Sequence, residues 1–457
     1  MSFQQRLAGR AASVLLVLCA ALGASAAPAF LSVSDLHFNP FYDPSLVDQL
    51  AAAEPSAWPA IFATSKITAP SAYDSDTNYP LFQSFLADLK LHAKGARFAT
   101  ITGDFLAHQF PQNFQKYATD KSPQAFQSFV TKTIQFIATQ FQLAAPGLTI
   151  YPVIGNNDSD CGDYNVTPGG WFLPAFANAW APSSGTSDFV RQFSPTGHFA
   201  IEGSIPDTTI IGVNSIYFSP KFTNACGTAG TDYGAQELAW LSGQLASAKK
   251  RGRRVWLLYH IPPGIDVYDT ITYGGACPTV TAALFWKSSY ATTFGALMTR
   301  YASTIKATLA GHTHMDDFRL LYGKAAAPLA YIHITPAVSP VFGNNPAYER
   351  MTYSPAGATI VDYTVHSLPL SATTPAWGEE YAFRAAYGQN EYTPRSIGRV
   401  RTAIQTSTAT RALYGQYYTV SSPNTIINQN SWTGYWCGTG TSTGNAFQAC
   451  YCAAPSP

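Results

Sequence analysis

Five short polar motifs are strung along the chain between Asp35 and His314. They are Asp35-Leu36-His37, Gly103-Asp104, Gly155-Asn156-Asn157-Asp158, His260 at the head of Ile261-Pro262-Pro263-Gly264, and Gly311-His312-Thr313-His314. Between them they offer carboxylate, amide and imidazole groups, the mixture that borderline divalent cations such as zinc, manganese and iron accept. Asp35 and His37 are two residues apart, so in an extended segment both side chains point to one face; His312 and His314 repeat the spacing. A carboxylate has two oxygens and can hold two cations about 3.5–4 Å apart, which is the role expected of Asp104. Asn156 brings an amide oxygen and His260 a ring nitrogen. Two adjacent cations acidify a bound water and clamp the oxygens of a phosphoryl group, so the chemistry implied is metal-hydroxide attack on a phosphate ester.

Each motif alone has a plainer reading. Asp-x-His is commonly a loop or capping pair, Gly-Asp a turn, Asn-Asn-Asp a turn by composition, and a single histidine a hydrogen-bonded core residue. Their joint occurrence, each at the end of an apolar run, carries the metal reading. Asp160 and Asp163 read as solvated loop charges, and His92, His198, His333 and His366 as structural.

The elements that must position these motifs alternate. Strand-like runs at residues 29–34, 98–102, 148–154, 255–259 and 305–310 each lead into one motif. Helical periodicity separates them at residues 81–93, 124–140, 236–250 and 289–301. This alternation predicts an α/β core, in which ligands gather outside the carboxyl ends of strands. Further strands are expected at residues 318–321, 330–335 and 358–364. Two long segments, residues 158–195 and 261–278, are rich in Gly, Pro, Tyr and Trp, and should wall the cleft. Beyond residue 367 the texture changes. Residues 377–387 and 394–406 read as helices, the second with Ile397, Val400 and Ile404 on one face. A Ser/Thr/Asn/Gly-rich tail carries the last three cysteines. The expected division is a leader at 1–26, a catalytic domain at 27–367 and a small helical, disulfide-bearing subdomain at 368–457.

Composition limits the partners. Of 457 residues only 12% are charged, the net charge is +1, and no basic block offers a nucleic-acid-binding patch. Arg6 and Arg10, apolar residues 11–22 and Ala24-Ser25-Ala26 read as a signal peptide, too short in its apolar part to span a bilayer. No later run is long enough for a transmembrane anchor. The expectation is a secreted or extracytoplasmic monomer. Cys19 leaves with the leader, and six cysteines remain, an even number that reads as disulfides in an exported protein. A bridge from Cys226 to Cys277 is expected, because it would tie the two loops flanking the His260 strand. Asn165-Val166-Thr167 is a possible glycosylation acceptor.

The ordered set resembles the calcineurin-like metallophosphoesterases, and within them the acid sphingomyelinase-like phosphodiesterases. Gln236-Glu237-Leu238-Ala239-Trp240-Leu241, His260 with Ile261-Pro262-Pro263-Gly264, Gly103-Asp104-Phe105-Leu106-Ala107-His108 and Asn345-Pro346-Ala347-Tyr348 carry the narrower likeness. It implies a fold of two mixed β-sheets flanked by helices, an αββα sandwich. It implies one metal on Asp35, His37 and His314, a second on Asn156, His260 and His312, and Asp104 between them, with zinc expected before manganese or iron. A bridge between Cys437 and Cys450 follows from the same likeness. Ala107 stands where purple acid phosphatases have a metal-binding tyrosine, and Phe30 follows the leader at once, so the likeness is to relatives without a saposin domain. One residue departs from the pattern. The family's usual Gly-Asn-His-Asp/Glu has Asn157 at its histidine, and asparagine is no general acid. His108 matches the second histidine that faces the leaving group and is assigned that role, with Asp158 orienting its neighbours. The implied function is phosphodiester hydrolysis of a small phosphate ester or phospholipid headgroup. The alternatives are a phosphomonoesterase or nucleotide phosphohydrolase on the same site and a non-catalytic metal-holding protein.

Overall fold

The computed structural model describes residues 27–323 and 326–453; the leader expected at residues 1–26 lies outside them. The strands are β1 (Ala29–Val33), β2 (Ala96–Ile101), β3 (Thr149–Pro152), β4 (Phe199–Glu202), β5 (Thr208–Gly212), β6 (Arg254–Leu258) and β7 (Ile265–Asp266). They continue with β8 (Ala283–Leu284), β9 (Ile305–Ala310), β10 (Asp317–Tyr322), β11 (Pro328–Ile334), β12 (Ala347–Ser354), β13 (Thr359–Ser367) and β14 (Gly378–Ala382). One six-stranded sheet has the order β14-β13-β12-β1-β2-β3, the other β10-β11-β9-β6-β5-β4, and β7 pairs with β8 in a small ribbon. Both large sheets are mixed: β1, β2 and β3 run parallel, as do β5, β6, β9 and β11, while their outer neighbours are antiparallel.

Alternation along β6 shows why two sheets stack. Trp256 and Leu258 face the space between the sheets, whereas Val255 and Leu257 pack with Leu241, Leu245, Phe294 and Met298 of the helices Tyr233–Lys250 and Ser288–Arg300. In the sandwich interior the Trp256 ring lies 5.0 Å from Phe30 and 5.7 Å from Phe98, and its N–H donates to the Ala358 carbonyl at 2.7 Å. The helices Tyr79–His92 and Pro123–Ala144 cover the other side through Phe82, Phe85 and Phe136. Each is started by a side-chain cap followed by proline, Asn78 and Ser122 accepting from the first turn. The sandwich flanked by helices is the expected fold, and every motif follows the carboxyl end of a parallel strand: β1, β2, β3, β6 and β9.

Three expectations needed correction. Residues 377–387 are not one helix. The free edge of β13 recruits β14, whose Tyr381 is buried with its hydroxyl on Asp316 and Tyr363, and only Phe383–Tyr387 is helical. The helix Pro394–Thr406 does form, with Ile397, Val400 and Ile404 buried. The bridge between Cys226 and Cys277 does not form: the disulfides are Cys161–Cys226, Cys277–Cys452 and the expected Cys437–Cys450. Thr223 donates from both its backbone N–H and its hydroxyl to Asn165 Oδ1, which pins the Cys226 loop beside Cys161. Cys277 instead meets the last helix, Gly444–Ala453, where Gln448 donates to the Pro278 carbonyl. The third lies in the first motif, where the backbone of Asp35 and His37 is left-handed rather than extended.

Candidate metal centre

Asp35 and His37 were expected in an extended segment, but their φ angles are +49° and +44°. Asp104, His312 and His314 share this left-handed conformation, at +57°, +76° and +64°. Such a backbone costs a non-glycine residue about 1–3 kcal/mol, and it persists only where surrounding bonds hold it. Here Asp35 N–H donates to the Gly103 carbonyl and His37 N–H to the Asp104 carbonyl, so the loops after β1 and β2 hold each other. His312 N–H donates to the Asp35 carboxylate at 3.0 Å. Gly311 and Gly155 permit the approach: a Cβ on Gly311 would strike Ser34 and Asp35, and one on Gly155 the Asp104 carboxylate.

These loops bring all seven expected ligand side chains together. His37 Nε2 lies 3.0 Å from His314 Nε2 and 3.4 Å from Asp104 Oδ2, and His314 Nε2 is 3.5 Å from Asp35 Oδ1. His260 Nε2 lies 3.2 Å from the same Asp104 oxygen, 3.0 Å from Asn156 Oδ1 and 3.2 Å from His312 Nδ1. Asp104 is therefore the shared member of two clusters. The outward ring nitrogens are engaged elsewhere: His37 Nδ1 on the Leu106 carbonyl, His260 Nδ1 on the Thr102 carbonyl and His312 Nε2 on the Tyr164 hydroxyl. That leaves Nε2, Nε2 and Nδ1 turned inward, which is how outer partners orient imidazoles toward a cation. His314 Nδ1 is buried without a partner.

Electrostatics fit the same use. Burial alone would lower His37 and His260, yet Asp104 and Asp35 raise both to about 9. Burial alone would raise Asp35 and Asp104, yet the histidines, His314 and His260 foremost, hold both carboxyls well below the usual range. Burial lowers His312 and His314 to about 3. The site is a nest of carboxylates that demands positive charge, and its facing nitrogens suit divalent cations. The donor set thus fits two metal ions.

The remaining expected residues sit around this nest. Asn157 turns to the shared carboxylate: its backbone N–H and side-chain amide donate to the two Asp104 oxygens at 2.8 and 2.9 Å. Asp158 accepts from the N–H groups of Phe105, Leu106 and Gly155, stapling the loop after β3 to that after β2. Burial and the Asp104 charge push its carboxyl up to about 7 against those donors. His108 stacks on His37 with ring centroids 4.1 Å apart and is half-buried. Its Nδ1 meets Asp76 Oδ1 at 2.8 Å, and its backbone N–H donates to Asp76 Oδ2.

The sequence reading passed over four neighbours. Asp76 orients His108, but its only signal was a place just ahead of the Asn78 cap. Phe342, 48% exposed, lies edge-on to the rings of His108 and His314 at 5.6 and 4.5 Å. Tyr164 bonds His312. Asp163, read as a solvated charge, is exposed yet accepts from the Asn156 amide nitrogen at 2.8 Å, turning that amide's oxygen toward His260. Asp160 likewise is bonded, to the Thr167 N–H.

No protein-family model matches the chain. Among characterised proteins, it is 28% identical over 336 residues to sphingomyelinase phosphodiesterase D of Dictyostelium discoideum, covering 70% of this chain and 68% of that one. It is 26% identical to the cyclic GMP-AMP phosphodiesterase SMPDL3A of Mus musculus, over 86% of this chain and 84% of that one. The sphingomyelin phosphodiesterase of Homo sapiens is 26% identical over 52% of this chain and 37% of its own. A dimetal phosphatase from Danio rerio aligns with 74% of this chain and 95% of its own at a TM-score of 0.40 and 12% identity. The protein is an enzyme, a phosphoric ester hydrolase. It is similar to sphingomyelinase-type and SMPDL3A-type phosphodiesterases over 70% and 86% of its length.

Proposed function

We propose that the chain is an exported phosphodiesterase with a binuclear centre, in which Asp35, His37 and His314 hold one cation, Asn156, His260 and His312 the other, and Asp104 both. The observation that carries this reading is the single Asp104 oxygen lying 3.2–3.4 Å from Nε2 of His260 and of His37. Zinc is the first choice, since imidazole and carboxylate suit it. When bound, two such ions supply a nucleophile at neutral pH and a clamp for phosphoryl oxygens. Asn157 keeps Asp104 aimed by two hydrogen bonds, and Asp158 keeps the loops that carry Asp104 and Asn156 in register. His108, held by Asp76 and free of the seven ligands, gives its proton to the departing alkoxide. Export is supported by the leader-like residues 1–26 and by three disulfides; among the described residues no helix is long and apolar enough to cross a membrane. Residues 27–367 and 368–457 remain the proposed catalytic domain and appendage, with β14 of the appendage completing the edge of the catalytic sheet.

The substrate proposed is a small phosphodiester, either a nucleotide-type or a headgroup-type ester, since relatives of both descriptions match. Phosphomonoester hydrolysis is the second reading. The complete ligand set argues against a protein that only stores metal. Metal analysis of the purified chain, together with turnover of bis-p-nitrophenyl phosphate against p-nitrophenyl phosphate, tests the proposal. Two ions per chain and preference for the diester are expected. Fewer than one ion in fully active protein refutes the binuclear centre, and preference for the monoester transfers the assignment to the second reading.

A further inference from the structure

Asp88 and His92 lie at i and i+4 on the helix Tyr79–His92, where side chains meet on one face. His92 Nε2 is 3.8 Å from Asp88 Oδ2. Across from them, β13 presents His366, whose ring centroid is 3.9 Å from that of His92. One ligand atom from each of the three lies within 4.8 Å of the others. Tyr348, the register partner of His366 on β12, stacks on the His366 ring and donates its hydroxyl to Asp88 Oδ2 at 2.6 Å. Among the described residues neither imidazole has any other side-chain hydrogen bond.

We propose that Asp88, His92 and His366 form a separate site for a single borderline divalent cation such as zinc, nickel or copper. Two imidazoles and one carboxylate are a donor set that these ions accept, with water completing the shell. The Tyr348 hydroxyl plays the part that outer hydrogen bonds play around metal-ligating carboxylates. Burial, and then the neighbouring His92, lower His366 to about 4, so its ring is neutral and able to coordinate at ordinary pH. His92 is the adjustable member. Its side chain is 31% exposed at the last turn of its helix, and a rotation there opens the space between the two rings for an ion. The helix carries His92 roughly 20 Å along its axis from the Asn78 cap, next to the residue that bonds His37, so the cluster is distinct from the binuclear centre. A bound ion would fasten the far end of this helix to β13, and with it the outer layer to the edge half of the first sheet.

The test compares the full chain with H92Q and D88N by zinc titration and by elemental analysis after dialysis. The wild type is expected to carry one more ion per chain than either variant, and loss of one ligand should weaken that site at least tenfold. Turnover of bis-p-nitrophenyl phosphate should be the same in all three proteins. Zinc should raise the thermal midpoint of the wild type by more than that of H92Q, while midpoints in a chelator stay matched, which excludes misfolding as the cause. The comparison is repeated on D104N, where the extra ion should persist and should vanish in D104N/H92Q; failure of the binuclear reading is thereby kept apart from failure of this one. Equal ion counts in wild type and H92Q overturn the proposal, as does a lost ion accompanied by lost turnover.

Discussion

In the proposed centre, the half assigned to Asp35, His37 and His314 is set by strand ends, whereas the half assigned to Asn156, His260 and His312 leans on an inserted loop. In the first, the outer contacts are His108, Asp76 and Phe342, and the loops after β1 and β2 hold each other through main-chain bonds. In the second, Asp163 fixes the Asn156 amide and Tyr164 fixes the His312 ring, and both belong to the segment that Cys161 ties to Cys226. Lys221, 4.8 Å above the Tyr164 ring, adds the nearby positive charge on that side. The contrast teaches that the two halves of the proposed centre differ in how strongly a distant loop controls them. Asp104, which touches both halves, is where the difference disappears.

The largest expected effect ignores the distinction. Asp104→Asn removes the shared charge, so metal analysis should show both ions weakened together and turnover should fall on the order of 10³-fold or more. By contrast His37→Ala should mainly empty the first half and His260→Ala the second. If His37→Ala and His260→Ala each remove both ions as completely as Asp104→Asn does, the halves are not separable and the comparison fails.

His108 sharpens the comparison, because it borders the first half only. His108→Ala should slow alkyl phosphodiesters by about 10²–10⁴-fold, the usual reach of general-acid help, while nitrophenyl esters, whose leaving group needs little protonation, lose far less. Metal content should be unchanged. Asp76→Asn should follow the same pattern more weakly, since it acts through His108. Equal losses on good and poor leaving groups would show that His108 positions substrate. Asn157→His, which puts the histidine of the resembled motif in place, keeps the backbone bond to Asp104 but costs the side-chain amide bond to its other oxygen, so any gain on poor leaving groups should come with somewhat weaker metal binding.

Much of this was legible along the chain, and the illegible parts share a cause. The ligands stood out because apolar β1, β2, β3, β6 and β9 end abruptly in polar residues, and strand ends are where such sheets bind. The strand β12 was missed because Glu349 and Arg350 interrupt its apolar pattern; Glu349 is buried and bonded to His333 from the other sheet, a pairing that no local window can show. Asp76, Asp163 and Tyr164 gain their roles from partners 32, 7 and 148 residues away. Six cysteines allow about 15 pairings, and the correct one at Cys161 depended on the Thr223–Asn165 contacts. The left-handed backbone of the ligands carried no signal either, because Asp and His seldom adopt it without tertiary support.

The second half should respond to its loop at two strengths. Asp163→Ala and Tyr164→Phe each remove an outer hydrogen bond to one ligand, and such losses typically cost about 10–100-fold in metal affinity. Chelator competition should therefore show one ion loosened and the other unchanged. Replacing both Cys161 and Cys226 by serine acts one step further out. The bridge closes a 65-residue separation and should contribute about 2–4 kcal/mol to the fold by constraining the unfolded chain. Asp163 and Tyr164 would stay near their partners but be held less firmly, so the second ion should weaken by less than in Asp163→Ala, and the first ion should not change at all. Loss of the first ion in the double serine variant would mean that the insertion braces the whole nest, and that the strand ends alone do not hold the half built on Asp35, His37 and His314.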